Sequence, residues 1–320
     1  MGASPLEPSE AGSSRSEEVS GIRPRRVGFV APSGFLPDPG VADRAASFFA
    51  ERGWKVCAGE TVFARELRFA GSDELRAVEL QRFATDRRLD VVVAARGGYG
   101  MSRLLERLDF AAIRDAGRIL VGYSDFTAFG LALLARAGGV SFQGPSAADF
   151  GSRGDSEFTI QSFFEAIEQP EVWIEFETDG PDLDVRGRLW GGNLSMLCAV
   201  MGTPYLPRVQ GGILFLEDVN EAAYRIERML LQLLHAGILQ RQRAVVLGDF
   251  TPTPSMPNDN GFDLSVVVGH LRSVLATPIV TGLPFGHGRR RVTLPIGAPG
   301  RLQLRAGQAR LHFHRHPVLT

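Results

Sequence analysis

Short apolar runs alternate with longer stretches of helical character through the first half of the chain. The apolar runs include VGFVAP from Val27, DVVVAA from Asp90 and ILVGY from Ile119, and the stretch 102–117 is among those that look helical. Strands buried on both faces read as continuous apolar runs, and strand–helix alternation favours a parallel sheet covered by helices. We therefore predict an open α/β domain over residues 25–146.

The second half of the chain is less regular. Residues 147–188 are predicted to connect two domains, since they hold one helical stretch and a cluster of turn-forming residues at ETDGPDLD. Residues 189–320 mix strands such as GGILFLED with helices such as EAAYRIERMLLQLLHAGIL. The predicted fold class is α/β, with an N-terminal open parallel sheet flanked by helices and a smaller C-terminal mixed α+β domain.

The N-terminal residues 1–24 are rich in Ser, Glu, Pro and Gly, which predicts a disordered tail. Arg25 and Arg26 resemble a twin-arginine export signal, but the apolar run after them ends at Pro32 and is too short for one. No run reaches the roughly 18 apolar residues of a membrane helix. Cys57 and Cys198 are expected to be reduced core residues, which is compatible with a cytoplasmic location.

The charges are almost balanced, with 35 basic and 36 acidic residues. No large electrostatic field is therefore available to attract nucleic acid or an anionic membrane surface. Neither is expected as a partner, and a small substrate is the default.

Ser124 follows a predicted strand in the sequence VGYSDFTAFG. A strand that enters a Gly-x-Ser turn before a helix places the serine oxygen at the carboxyl edge of the sheet, where open α/β folds bind ligands. The N–H of Asp125 would point at the same place as an oxyanion donor. The second glycine of the hydrolase motif is absent, and Ser124 with Asp125 also suits a helix N-cap.

The sequence ARGGYG follows the preceding strand and supplies a second candidate oxyanion donor, the Gly98 N–H. A tight strand-to-helix turn explains the glycines equally well. Their spacing matches neither of the common phosphate-binding fingerprints, so nucleotide binding is unsupported.

A catalytic serine needs a base, and His287 lies in a glycine-flanked loop, GLPFGHG, after a strand. His235 and His270 fall in helices and are expected at the surface. The sequence HFHRH, with His312, His314 and His316, predicts three imidazoles on one face of a strand. That face fits a solvated terminal strand better than a metal site, because no Cys or carboxylate cluster accompanies it.

The base needs an orienting carboxylate. Glu217 and Asp218 both stand where an apolar strand ends before a helix, and Asp249 ends another strand. Helix capping also suits Asp218. Spacing alone leaves the three carboxylates as alternatives.

Together these stretches resemble the LD-carboxypeptidases, serine peptidases that include murein tetrapeptide carboxypeptidases and microcin C immunity proteins. The resemblance extends in order from about residue 27 to 297. The matching stretches are VGFVAPSG, ARGGYG, GYSDFTA, LWGGNLSML, GTPYLP, ILFLEDVNEAAYRIERML, VVLGDF and GLPFGHG.

The resemblance implies a Ser-Glu-His triad formed by Ser124, Glu217 and His287, with oxyanion donors at the Gly98 and Asp125 N–H groups. It implies no metal and no organic cofactor. Family members are commonly dimers, and this sequence neither supports nor excludes a homodimer. They act on cytoplasmic murein peptides, so a murein tetrapeptide substrate is expected, with release of D-alanine.

In the segment LWGGNLS the resemblance makes Trp190 and Asn193 candidates for substrate contact. A core position for Trp190 and a helix cap at Asn193 are the alternatives. Three other functions remain open: an amidase acting on a microcin-like peptidyl nucleotide, a non-catalytic binding protein with the same fold, and an NAD- or ATP-dependent enzyme.

Overall fold

The structure is a computed structural model that describes residues 23–38, 40–152, 157–254 and 257–320. The predicted tail, residues 1–24, lies outside the described residues except at its last two positions.

Helices and strands alternate through the first half of the chain, as predicted. The α-helices are α1 (Gly40–Ala50), α2 (Asp73–Thr85), α3 (Phe110–Ala116), α4 (Thr127–Ala137), α5 (Ala147–Gly151), α6 (Glu157–Glu168), α7 (Leu194–Ala199), α8 (Ala223–His235) and α9 (Leu264–Val274). The strands are β1 (Arg26–Val30), β2 (Lys55–Ala58), β3 (Val91–Ala94), β4 (Ile119–Gly122), β5 (Ser141–Gln143), β6 (Glu171–Glu177), β7 (Leu183–Asn193), β8 (Ile213–Glu217), β9 (Ala244–Leu247), β10 (Ile279–Val280), β11 (Leu294–Ile296), β12 (Pro299–Arg305) and β13 (Gln308–His314).

Among the described residues, six strands form the first sheet in the order β11-β5-β4-β3-β1-β2. Strands β1 to β5 are parallel, which confirms the predicted open parallel sheet. The edge strand β11 comes from the C-terminal half of the chain and pairs antiparallel with β5. Strands β3 and β4 are adjacent, so the turns that follow them lie side by side at the carboxyl edge.

The second sheet has the order β10-β9-β8-β7-β12-β13-β6 in the described part of the chain. It is mixed, because β7 to β10 run parallel and the remaining strands pair antiparallel. Residues 147–188 differ from the expected connection, since they contain β6 and the first half of β7. The alternation of exposed and buried residues along β6 is the sheet signal that marks it as a strand.

Two further expectations are corrected. Residues 102–117 are not one helix, because two short 3₁₀ turns precede α3, which is capped by the Asp109 side chain. Cys57 is exposed rather than in the core, since β2 forms the edge of the first sheet. Cys198 is only partly buried.

Candidate active site

Ser124 lies at the carboxyl end of β4, at the start of a 3₁₀ turn that leads into α4. Its φ is +60°, a left-handed conformation that costs a non-glycine residue about 1 kcal/mol or more. At a strand-to-helix turn, this strained conformation makes the serine hydroxyl project beyond the carboxyl edge of the sheet. Asp125 belongs to the same first turn, where backbone N–H groups lack intrahelical partners.

The glycine turn after β3 lies directly against Ser124. A Cβ added at Gly97 would stand 2.8 Å from Ser124 Cβ and 3.1 Å from Ser124 Oγ, so only glycine permits this approach. Gly98 follows with a φ of +104°, and it borders the same cavity as Ser124. Of the two candidate oxyanion donors, Gly98 thus lines the cavity that Ser124 also lines, and Asp125 directly follows Ser124 in the chain.

Glu217 is the last residue of β8 and is fully buried. Its Oε2 lies 2.7 Å from Nδ1 of His287, which comes from the loop after β10. A buried carboxylate on Nδ1 fixes the tautomer that leaves Nε2 free to accept a proton. The structure therefore joins Glu217, and neither Asp218 nor Asp249, to this imidazole.

The His287 loop packs tightly over Asp249. The Asp249 N–H donates to Phe285 O at 2.7 Å, and a Cβ added at Gly286 would stand 2.5 Å from Asp249 Cβ. A Cβ at Gly288 would meet the Asp249 carboxylate at the same distance. The glycines on both sides of His287 allow this packing, and Asp249 stabilises the loop through its contact with the loop backbone.

Asn193 ends β7 and is paired in register with Glu217 on β8. Its amide nitrogen donates to Glu217 Oε1 and to Asp218 Oδ1, both at 3.0 Å. Its amide oxygen accepts the Met196 N–H and caps α7. Asp218 also accepts the N–H and hydroxyl of Ser195, so it serves the start of α7 rather than the imidazole.

Ser124 and His287 line one cavity of about 630 Å³. Its remaining walls come from the loops after β1 and β3, from α1 and α5, and from the loop after β8. Among the described residues its lining is Leu36, Pro37, Asp38, Val41, Arg44, Arg96, Gly97, Gly98, Tyr123, Ser124, Ser146, Ala148, Asp149, Ser152, Val219, Asn220, His287 and Arg291.

The family models for the two domains of LD-carboxypeptidases match this chain. The N-terminal domain model covers residues 27–144, and the C-terminal domain model covers residues 186–302. The chain belongs to the LD-carboxypeptidase family.

Named relatives of the family extend along most of the chain. A probable murein peptide carboxypeptidase of Bacillus subtilis is 31% identical over 277 residues, which are 85% of this chain and 86% of that protein. The crystal structure of a muramoyltetrapeptide carboxypeptidase from Oxalobacter formigenes superposes with a TM-score of 0.87 at 44% identity, and the match covers 92% of this chain and all of that one.

The microcin C7 self-immunity protein MccF shares the fold. Its wild-type apo structure superposes with a TM-score of 0.83, covering 92% of this chain and 97% of that chain, but the sequences are only 21% identical. This likeness shows a common architecture and does not distinguish between substrates.

Trp190 does not reach the cavity of this LD-carboxypeptidase. Its side chain is 1% exposed, and its indole N–H donates to Gln242 at 3.0 Å. Of the two candidates for substrate contact, Trp190 occupies the alternative core position, and Asn193 is 4% exposed and takes the alternative role of helix cap. Both side chains are occupied by protein partners because β7 is a central strand of the second sheet.

Tyr123 is a site residue that the motifs did not single out. Its ring centroid is 4.6 Å from that of His287, and its hydroxyl donates to Glu217 Oε2 at 3.4 Å. Burial, followed by the Glu217 charge, raises the pKa of the Tyr123 phenol well above its ordinary value, so the phenol stays a donor. Its position beside Ser124 in the strand-end motif is the signal that could have identified it.

The Asp125 side chain does not cap α4, contrary to the sequence-based alternative. It is fully buried and accepts the Met101 N–H at 2.8 Å, which ties the Ser124 turn to the end of the glycine turn. Burial raises the pKa of this carboxyl. Arg76, also fully buried, donates to Pro32 O and to Gly100 O and so holds the same turn from the other side.

The remaining histidines lie away from this cavity. His235 and His270 are exposed, as expected. His312 and His314 stack on one face of β13, but His316 lies beyond the strand end and turns inward against Phe142. Among the described residues, no group of three or more His, Cys, Asp or Glu side chains is arranged to hold a metal ion.

No helix in the described ranges is long and apolar enough to cross a membrane.

Proposed function

We propose that this chain is a serine LD-carboxypeptidase whose catalytic triad is Ser124, Glu217 and His287. The observation that carries the proposal is the placement of two chain segments at one cavity. A strained serine at the end of β4 lines the same cavity as an imidazole whose Nδ1 lies 2.7 Å from a buried carboxylate. We also propose that the two family-matched regions act as two domains, with the nucleophile on the first and the Glu–His pair on the second.

In the proposed reaction Ser124 Oγ attacks the scissile carbonyl while His287 Nε2 takes the hydroxyl proton. His287 then returns the proton to the leaving amine, and a water molecule hydrolyses the acyl-enzyme in the same way. The Gly98 and Asp125 N–H groups are proposed to stabilise the oxyanion. Among the described residues no hydrogen bond joins Ser124 Oγ to the imidazole, and catalytic hydrogen bonds of this kind commonly tighten when substrate binds.

The proposed substrate is a murein tetrapeptide from which the terminal D-alanine is released across an L,D bond. The relatives support this class, since a muramoyltetrapeptide carboxypeptidase is 44% identical over almost the whole chain. The immunity protein MccF is the second candidate for substrate class, but its 21% identity supports the fold alone. We further propose a cytoplasmic role in murein recycling and a homodimeric state.

The decisive experiment incubates the full chain with murein tri-, tetra- and pentapeptides and identifies the products by mass spectrometry. We expect loss of one D-alanine from the tetrapeptide, and an at least 10⁴-fold slower reaction with Ser124→Ala. Wild-type turnover by that variant would contradict the proposed nucleophile. Preference for an aminoacyl sulfamoyl nucleoside in the same assay would transfer the assignment to the immunity-type activity.

Fractionation of cells that express the chain tests the proposed cytoplasmic location. The molar mass of the purified protein, measured by light scattering during size-exclusion chromatography, tests the proposed homodimer. Recovery of the chain outside the cytoplasm, or a monomeric mass, would contradict the respective proposal.

A further inference from the structure

A carboxypeptidase must recognise the free carboxylate of its substrate as well as cleave next to it. One residue spans at most about 3.6 Å of chain, so the terminal carboxylate lies within one residue's length of the scissile carbonyl. Its binding group must therefore share the cavity with Ser124 and the glycine turn. Arginine suits this task because its planar guanidinium binds a carboxylate through two parallel hydrogen bonds.

Three arginines line the cavity among the described residues, and two of them already have carboxylate partners. Arg44 pairs with Asp38 at 2.6 Å and also donates through Nε to a backbone carbonyl. Arg291 pairs with Asp149 at 2.5 Å, and its guanidinium lies 5.2 Å from the ring centroid of Tyr123. Both guanidinium groups are engaged in holding the cavity wall.

Arg96 differs from these two. Among the described residues it forms no ion pair with a carboxylate, and its single hydrogen bond runs from Nη1 to Phe35 O at 2.8 Å. This hydrogen bond uses one of the five guanidinium N–H donors, so most of the donors remain available to a ligand. The guanidinium is nevertheless positioned, because the loop before Phe35 is tied to the glycine turn by the Gly34 N–H bonding to Gly97 O at 3.2 Å.

Arg96 also has the right place in the chain. It immediately precedes Gly97, which touches Ser124, and stands two residues before the proposed oxyanion donor Gly98. A substrate whose carbonyl oxygen points at the glycine turn would thus bring its terminal carboxylate towards the arginine at the base of that turn.

We propose that Arg96 binds the terminal carboxylate of the substrate and so restricts this site to carboxypeptidase chemistry. The inference rests on the proposed function and adds to it the residue that selects a free C-terminus. It assigns Arg44 and Arg291 to the support of the cavity wall.

The test compares the hydrolysis of a murein tetrapeptide with that of the same peptide carrying a C-terminal amide. For wild-type protein we expect a clear preference for the acid in kcat/KM. Arg96→Gln should lower kcat/KM for the acid by roughly 10- to 150-fold, the range for a hydrogen bond to a charged group, mainly through KM. The amide should change by less than about threefold. Arg96→Lys, which keeps the charge but not the fork, should retain an intermediate preference.

Arg52→Gln is the matched control, because Arg52 is exposed at the end of α1 and stacks on Phe48 away from the cavity. An equal loss on both peptides in Arg96→Gln and Arg96→Lys would overturn the inference while leaving the proposed function intact. Loss of acid preference in Arg44→Gln or Arg291→Gln, with Arg96→Gln unaffected, would do the same. Absence of tetrapeptide turnover by wild-type protein would overturn both.

Discussion

Replacing Glu217 with glutamine tests how the imidazole is oriented, because the surrounding hydrogen bonds dictate which way the new amide points. Asn193 presents its amide nitrogen to Glu217 Oε1, and this orientation is fixed by the Met196 N–H on the other side of the Asn193 amide. The introduced glutamine must therefore offer its oxygen to Asn193. Its NH₂ group then faces Nδ1 of His287, where Glu217 Oε2 stood at 2.7 Å.

The consequence for catalysis follows from the tautomer. An amide donor at Nδ1 forces that nitrogen to accept, so the ring proton moves to Nε2 and the ring cannot take the proton of Ser124. The equivalent Asp→Asn change in serine proteases lowers kcat about 10⁴-fold, which corresponds to about 5.5 kcal/mol of transition-state stabilisation. We expect a loss of this order from Glu217→Gln, with KM little changed.

A double variant separates orientation from the mere loss of charge. In Glu217→Gln combined with Asn193→Ala, the glutamine can rotate and present its oxygen to His287, so we expect at least tenfold more activity than in Glu217→Gln alone. Asn193→Ala by itself should be less active than wild type, because it leaves Glu217 Oε1 without a donor and removes the cap of α7. The assay is D-alanine release under single-turnover conditions.

The orientation argument would be refuted if the double variant were as slow as Glu217→Gln or slower. Near wild-type turnover by Glu217→Gln would contradict the role of Glu217 itself. Circular dichroism and thermal melting of each variant supply the control for folding.

Three further predictions concern strain, pH and thiol reactivity. Ser124→Gly should melt about 1 to 2 °C above Ser124→Ala in calorimetry, since glycine relieves about 1 kcal/mol of left-handed strain, and equal melting would contradict that strain. Burial lowers the pKa of His316, so its stabilising contribution is present above about pH 6.5 and is lost as the pH falls through the lower folded value. Melting curves of His316→Gln between about pH 5 and 7.5 should show a smaller acid-side loss than wild type, and an unchanged loss would contradict this contribution. Burial raises the pKa of the Cys198 thiol to about 12, so a disulfide reagent near pH 8 should label the exposed Cys57 first, in a fast phase of the labelling reaction. Cys57→Ser should abolish this fast phase, and a fast phase that persists in the variant would contradict the prediction.

The first sheet could be predicted from sequence because its central strands are buried on both faces. Strands β1, β3 and β4 are continuous apolar runs with turns at their ends, a pattern that is typical of the central strands of a parallel sheet. Strand β6 was missed although its buried residues Val172, Ile174 and Phe176 alternate with exposed ones, which is a strand signal. Trp173 is an apolar residue on the exposed face and interrupts the polar set, and the run follows directly after α6.

Some residues of the candidate site could be predicted from local sequence and others could not. Ser124 and His287 carry local signals, a strand-end turn and flanking glycines. The choice between Glu217 and Asp218 depends on which side chain meets a loop some 70 residues away, and the resemblance supplied it where spacing did not. Tyr123 stands beside Ser124 in the strand-end motif and Asn193 was already a candidate helix cap, but their hydrogen bonds to Glu217 form only when the ends of β4, β7 and β8 meet.

The missing second glycine after Ser124 has a physical cause in the packing of this turn. Phe126 stands where the hydrolase motif has glycine, and it fits because Gly122 lacks a side chain: a Cβ added there would stand 2.3 Å from Phe126 Cγ. The close approach to the neighbouring turn is made possible by Gly97 rather than by a glycine inside the serine turn itself. Asp125, between Ser124 and Phe126, then points inward and holds the glycine turn through the Met101 N–H. The strained serine conformation is therefore accommodated by Gly122 at the end of β4 and Gly97 in the turn after β3, instead of by two glycines in one motif, and a search for the hydrolase pattern alone would overlook it.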